Sequence, residues 1–261
     1  MVNEISTSEF LSLLKGAKQI SKIRLPIRMK MPKLIEEVTF EQVDFNAPIF
    51  GGLLNRPVIR KSKFINSDLD GLNVEKSLFE DCIFDKVIFG HKYIGRIDKC
   101  KFYKCTFIEC QFKSFIFKGN SYNDCSFDRC KLKRITFNDC DFENVTFSGE
   151  FATVNFVGCR TANTDVSKVK MKEVAMVDIN YNGIKLPDNK DNFFAYAQFF
   201  ESAKPELEKK LSPRTYEHYC SKAEYIMTYC SDGVMVDRDM FEEASKVEKD
   251  IIMETLYKIR G

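Results

Sequence analysis

Residues 100–112 read "CKFYKCTFIECQF": Cys100, Cys105 and Cys110 stand five apart, and Phe102, Phe107 and Phe112 each follow two residues later. A period of five fits neither the 3.6-residue turn of a helix nor the two-residue repeat of a strand. Counting onward in fives gives Phe117, Tyr122, Phe127, Leu132, Phe137, Phe142 and Phe147, all large and apolar. Upstream, after a slip of three residues at "GHKYIGR" (90–96), the comb continues through Phe89, Phe84, Phe79, Val74, Leu69, Phe64, Ile59 and Leu54. Beyond a second slip lie Phe50, Phe45 and Phe40; downstream, one residue out of step, the comb reaches Phe151 and Phe156 and fades through Thr161 and Val166. Seventeen of the 24 phenylalanines sit on it, so the period is a structural unit and not an accident of composition.

The position two residues before each centre is an independent test. It reads Ser62, Ser67, Leu72, Ser77, Cys82 and Val87, then Cys100, Cys105, Cys110, Phe115, Asn120, Cys125, Cys130, Ile135 and Cys140, with no charged residue in a chain that is 30% charged. Both positions therefore face a core, and the other three of each five carry the Lys, Arg, Asp and Glu. Sides of five residues with two inward positions have to turn a corner at each end, which describes a solenoid.

"CTFIE" (105–109), "CSFDR" (125–129), "CDFEN" (140–144) and "SDLDG" (67–71) share one pattern: small, polar, Phe or Leu, then two polar residues. In this pattern residues 38–168 resemble the pentapeptide-repeat family. The resemblance implies a mainly β fold, a right-handed quadrilateral β-helix of about twenty residues per coil whose coils stack like parallel strands about 4.8 Å apart. Six or so coils would make a rod on the order of 30 Å long.

Eight of the ten cysteines fall on the small inward position: Cys82, Cys100, Cys105, Cys110, Cys125, Cys130, Cys140 and Cys159. A metal site needs close Cys-x-x-Cys pairs or accompanying histidines, whereas the chain has two histidines, His91 and His218, neither in a cluster. In a twenty-residue coil Cys105 stacks on Cys125 and Cys110 on Cys130. Parallel side chains one layer apart point the same way, which disfavours a disulfide. The thiols read as small hydrophobes. The expected structural core therefore includes Cys100, Phe102, Cys105, Phe107, Cys110, Phe112, Cys125, Phe127, Cys130, Cys140 and Phe142.

The ends differ from the comb. "STSEFLSLLKGAKQ" (6–19) reads as a short helix with Ser6 or Thr7 as N-cap. In "KIRLPIRMKMPKLI" (22–35), Ile23, Leu25, Ile27, Met29 and Met31 alternate with basic residues, which reads as a strand with one basic face. Residues 1–37 are thus expected to cap the solenoid, since its first coil would otherwise expose core and edge. The β-helix proper is assigned to 38–180. A turn-rich connector, "NGIKLPDNKD" (182–191), leads into an α-helical unit over 181–261 with three helical stretches: "DNFFAYAQFFESA" (191–203), "SPRTYEHYCSKAEYIMTYC" (212–230) and "DRDMFEEASKVEKDIIMETLYKIR" (237–260). In the second, Ser212 reads as N-cap with Pro213 at the first helical position, and Tyr216, Tyr219, Cys220, Ala223, Ile226, Met227 and Cys230 share one face.

Net charge is +2, and residues 36–168 balance nineteen bases against nineteen acids, so global electrostatics name no partner. No apolar run approaches a membrane span. The first residues show no secretory signal, and ten cysteines without one suggest reduced thiols in a cytoplasmic setting, with signal-less export into a host cell left open.

No Gly-rich phosphate loop, paired-His motif or nucleophile elbow occurs, so no catalytic, cofactor-binding or metal-binding residue is named. Two features stand out as a candidate contact surface: the basic cluster Lys131, Lys133 and Arg134 with Lys113 one coil away, and the bulge at His91, Lys92 and Tyr93 where the comb is interrupted. The expected function is a non-enzymatic protein–protein interaction scaffold, bacterial by resemblance. Its helical tail would dock a partner or pair two copies through residues 212–261; balanced charge and few interleaved aromatics argue against nucleic acid. The resemblance implies two alternatives. One is a topoisomerase-binding DNA mimic, although such rods are generally acidic. The other is a bacterial effector similar to β-helix-containing ubiquitin ligases, which would need a catalytic thiol where only Cys220 and Cys230 lie off the comb.

Overall fold

In the computed structural model, residues 3–50, 56–179, 181–230 and 233–260 are described; Leu54 of the comb lies outside them. The comb forms the inner wall of a parallel, four-sided β-solenoid of about nine turns. Phe107, Phe112, Phe117 and Tyr122 occupy four successive faces of one coil, and the next coil sets Phe127, Leu132, Phe137 and Phe142 in register above them. On the first face the rings of Phe84, Phe107, Phe127 and Phe147 stack nearly parallel at 4.7, 4.4 and 4.6 Å. On the fourth, Phe79, Phe102, Tyr122 and Phe142 stack at 4.7, 4.9 and 5.1 Å. Ring spacing is thus set by the ladder step of parallel strands.

The corners explain why each side takes five residues. Two residues after most centres the backbone turns through the left-handed region: Lys104, Glu109, Asp124, Arg129, Arg134 and Asp139 have φ between 51° and 55°. Each such non-glycine residue costs about 1–2 kcal/mol of local strain, which coil-to-coil hydrogen bonds and Phe burial offset. The chain bonds alternately down and up: Thr106 N–H donates to the Cys82 carbonyl below, and Lys104 N–H to the Asn123 carbonyl above.

All eight comb cysteines are buried free thiols. Cys105 and Cys110 point their thiols at the carbonyls of Phe79 and Phe84 in the coil beneath, and Cys125 and Cys130 at those of Phe102 and Phe107. Burial pushes the Cys100 thiol up to about 12. Asn120 stands between Cys100 and Cys140 in the same ladder, bonding the Cys100 N–H and the Ile97 carbonyl at 2.8 and 2.7 Å.

The solenoid is longer than the comb suggests at both ends. Residues 19–36 form a coil of their own: Gln19–Ser21 pairs with Thr39–Glu41, Arg24 bridges to Asp44, Lys30 to Ile49, and Leu34–Glu36 pairs with Val58–Arg60. The alternation over 22–31 is therefore not one strand. Left-handed corners at Lys22 and Arg28 turn Ile23, Leu25, Met29 and Met31 inward, while Ile27 is 60% exposed. At the far end Met171 and Met176 take Phe positions, and Ile184–Lys185 pairs with Thr164–Asp165.

Each end is closed differently. Helix α1 (Thr7–Leu14), started by a capping box between Ser6 and Glu9, lays the fully buried Phe10 6.3 Å from the Phe40 ring. At the other end stands a unit of three helices, α2 (Ala197–Leu207), α3 (Pro213–Tyr229) and α4 (Lys246–Arg260), with a small antiparallel sheet of Asp188–Asn189, Asn192–Ala195 and Val234–Asp237. The strands are a departure from the all-helical expectation: β-rich Val234–Asp237 reaches the last coil and contributes Met235 to the solenoid core. The rest of the unit keeps a separate core around Phe200, Tyr219 and Leu256. In α3, Tyr219, Ala223 and Ile226 face that core, whereas Met227 is 42% exposed.

Candidate contact face and junction cleft

The last coil would end in unpaired backbone, and two polar side chains satisfy it. Asn192 accepts a hydrogen bond from the Met171 N–H at 3.2 Å and donates to the Met171 carbonyl at 2.9 Å, the two bonds a further coil would supply. Asp237 accepts from the Glu173 N–H at 2.8 Å. Both side chains are almost fully buried, and burial pushes the Asp237 carboxyl up. The helical unit is thereby fixed in place on the rod.

The sequence-named surface residues converge on the second face. Lys113 lies in register with Lys133, and Gln111 with Lys131; Arg134 holds the corner beside them. The bulge sits at the near edge of the same face: Gly90, which opens it, lies so close under Lys113 that a Cβ would meet the Lys113 carbonyl at 2.1 Å. Asp70 organises this bulge. Its buried carboxylate accepts the consecutive backbone N–H groups of His91, Lys92 and Tyr93 at 2.6, 2.9 and 3.2 Å. Tyr93 and Ile94 are left exposed.

Continuing along that face, Lys131 is followed by Glu150 and then Lys170, and Lys133 by Ala152 and then Lys172. Sequence reading missed Lys168, Lys170 and Lys172 because the comb fades there; only a search accepting Met at centre positions finds their register. Over this end of the face a cleft of about 1130 Å³ opens between the solenoid and the start of α4, which adds Lys246 and Lys249. Lys172 pairs with Asp239 at 2.9 Å and holds that carboxyl below its usual range, with Lys249 and Lys170 adding to the field. Arg238 pairs with Asp191 and Asp250.

Several charge pairs elsewhere on the rod run between coils: Arg24 with Asp44, Arg60 with Glu36, Arg129 with Glu109, Arg160 with Asp141 and Lys185 with Asp165. Among the described residues, Lys113, Lys131, Lys133, Arg134, Lys168, Lys170, Lys246 and Lys249 take part in no ion pair. Lys113 over Lys133 puts like charges directly opposite across a ladder, a destabilising arrangement that no carboxylate relieves.

Chemistry of other kinds finds little support among the described residues. No group of three or more His, Cys, Asp or Glu is placed to hold a metal ion, and no helix is long and apolar enough to cross a membrane. Cys220 and Cys230 are half-buried, and burial pushes the Cys230 thiol up, opposite to what a nucleophilic thiol requires.

No family model and no curated protein matches the chain. Among solved structures it is similar to QnrB1, a plasmid-mediated fluoroquinolone resistance protein, at 15% identity, TM-score 0.37, covering 64% of this chain and 94% of that one. It is also similar to HetL, a pentapeptide repeat protein involved in heterocyst differentiation regulation from the cyanobacterium Nostoc sp. strain PCC 7120, at 11% identity, TM-score 0.34, covering 70% and 98%. The repeat, the twenty-residue register and the left-handed corners define the class on their own. The chain has the pentapeptide-repeat β-helix fold.

Proposed function

We propose that this chain is a non-enzymatic protein-binding scaffold. The rod holds the helical unit at one end, and recognition is concentrated on the basic half of the second face, from the His91–Tyr93 bulge to the junction cleft. The stacked lysines carry this reading: Lys113 and Lys133 lie in register on adjacent coils and neither has an ion-pair partner among the described residues, which leaves both available to an acidic partner. The DNA-mimic alternative would need rows of free carboxylates. Here Glu36, Asp44, Glu109, Asp141 and Asp165 are engaged by basic residues of neighbouring coils.

Affinity capture with the full chain tests the reading. The double variant Lys131→Glu/Lys133→Glu should lose the specific acidic protein that the parent chain and Lys63→Glu, on the first face, both retain. An unchanged set of captured proteins would refute it. A second reading, pairing of two copies through residues 212–261, is favoured by one observation: Tyr225 and Tyr229 lie 5.0 Å apart with their rings tilted by 44° on the outer face of α3 and are 57% and 67% exposed. Sedimentation equilibrium of the parent and of Tyr225→Ser/Tyr229→Ser decides it; a monomeric parent chain removes the reading.

A further inference from the structure

Resting on the scaffold reading, we infer that the junction cleft is the docking site for an extended partner segment bearing carboxylates at alternate residues. The cleft floor is the last coil, where Lys168, Lys170 and Lys172 project outward while Val169 and Met171 point into the core. In a strand such alternate residues are about 6.6 Å apart. A segment lying along this strand in extended conformation presents its own alternate side chains at the same spacing, so its carboxylates face Lys168 and Lys170 in step, beside Lys172 with its resident Asp239. The opposite wall adds Lys246 and Lys249, one helical turn apart on α4.

Three further features select this occupant. At about 1130 Å³ the cleft exceeds the roughly 300–1,000 Å³ usual for small-molecule sites, and suits several residues of chain. Its lining also includes Glu150, Asp191, Asp237, Asp239 and Asp250. A uniform polyanion, with a negative charge about every 1.7 Å as in duplex DNA, would set phosphates against these carboxylates. A segment whose acids alternate with neutral residues avoids that clash. Lastly, Lys172 is already bound by Asp239 at 2.9 Å, which shows that a carboxylate is accommodated at this row.

The test uses the full chain and two fluorescein-labelled peptides of about ten residues. One alternates Glu with Ser; the other has the same composition with the Glu residues contiguous. Fluorescence anisotropy at about 0.15 M salt reads binding, where exposed long-range attraction is largely screened. The alternating peptide should bind about tenfold more tightly than the contiguous one, and Lys170→Glu/Lys249→Glu should weaken it about tenfold or more, with Lys63→Glu silent. Equal affinity for the two peptides overturns the inference, because charge alone would then explain binding. So does tighter binding of a duplex DNA of equal charge, which would point to nucleic acid. If Lys131→Glu/Lys133→Glu abolishes binding while Lys170→Glu/Lys249→Glu does not, the cleft is refuted and the basic-face reading survives. If neither peptide binds, the cleft inference falls, and the scaffold reading stands or falls on its own capture experiment.

Discussion

In the solenoid, Phe107 meets Phe84 below and Phe127 above at 4.7 and 4.4 Å, and its partners are fixed by adding or subtracting one coil. In the helical unit the equally buried Phe200 packs against Tyr219, which comes from another helix and also donates its hydroxyl to the Phe200 carbonyl at 2.8 Å. The first core is one-dimensional, with each layer touching only its neighbours; the second closes on itself. Damage should therefore spread differently in the two.

Phe107→Ala and Phe200→Ala should each cost about 3–5 kcal/mol in denaturant unfolding, the range for deleting a fully buried aromatic ring. The discriminating measurement is amide hydrogen exchange. Phe107→Ala should expose the coils directly above and below it more than distant ones, whereas Phe200→Ala should lower protection across α2, α3 and α4 together. Uniform loss of protection along the whole rod in Phe107→Ala would break the contrast.

The junction is where the two regimes meet. Asn192→Ala leaves the Met171 N–H and carbonyl unpaired at a buried edge, a loss of about 1–3 kcal/mol per orphaned group. Calorimetry should show the helical unit melting ahead of the rod in this variant. A single transition merely shifted downward would mean that Met235 and Asp237 hold the two parts together without the amide.

This contrast also explains what the sequence could say. The repeat was legible because its positions are local: five residues suffice to identify a side, so Cys100 to Phe142 could be assigned inward without knowing any neighbour. Where the side chain at the centre changed from Phe to Met, at Met171 and Met176, the same geometry became invisible to a search for aromatic rings. At the N-terminus, corners at Lys22 and Arg28 let a coil imitate an alternating strand. The candidate face was half legible for the same reason. Lys113, Lys131 and Lys133 could be stacked by counting, but Lys246 and Lys249 reach the cleft through tertiary packing, and Asp70 holds the bulge across 21 residues of chain. No short-range pattern encodes either.

A smaller effect tests how strictly the stack is apolar. Tyr122 stands between Phe102 and Phe142, fully enclosed, and its hydroxyl has no hydrogen-bond partner among the described residues. Burial accordingly pushes its phenol well up. Its nearest ionisable neighbours are the thiols of Cys140, Cys100, Cys125 and Cys159, weak partners that donate no hydrogen bond to it. Tyr122→Phe should therefore raise stability by about 1–3 kcal/mol, the desolvation cost of one unsatisfied hydroxyl. A loss of stability on urea unfolding would show that the hydroxyl has a partner after all.

The smallest effect belongs to the helical unit and depends on pH. Glu248 links two helix starts: its carboxylate accepts hydrogen bonds from the hydroxyls of Ser212 and Ser245 at 2.7 Å each, and from both backbone N–H groups at 3.1 Å. The Ser212 hydroxyl, then that of Ser245, hold its carboxyl down to about 2, from an ordinary value of 4.5. A depressed carboxyl stabilises the fold above its unfolded value and loses that contribution as pH falls towards the folded one, here between about 4.5 and 2. Asp237 has the opposite sign: burial raises it, so its contribution is full below its ordinary 3.8 and is lost as pH rises through the folded value. Glu248→Gln should flatten the acid limb of the stability profile of the helical unit, and Asp237→Asn should remove the decline above it. Thermal midpoints measured from pH 2 to 7 separate the two slopes, and an acid limb unchanged in Glu248→Gln would show that the link between the starts of α3 and α4 does not contribute to holding the unit together.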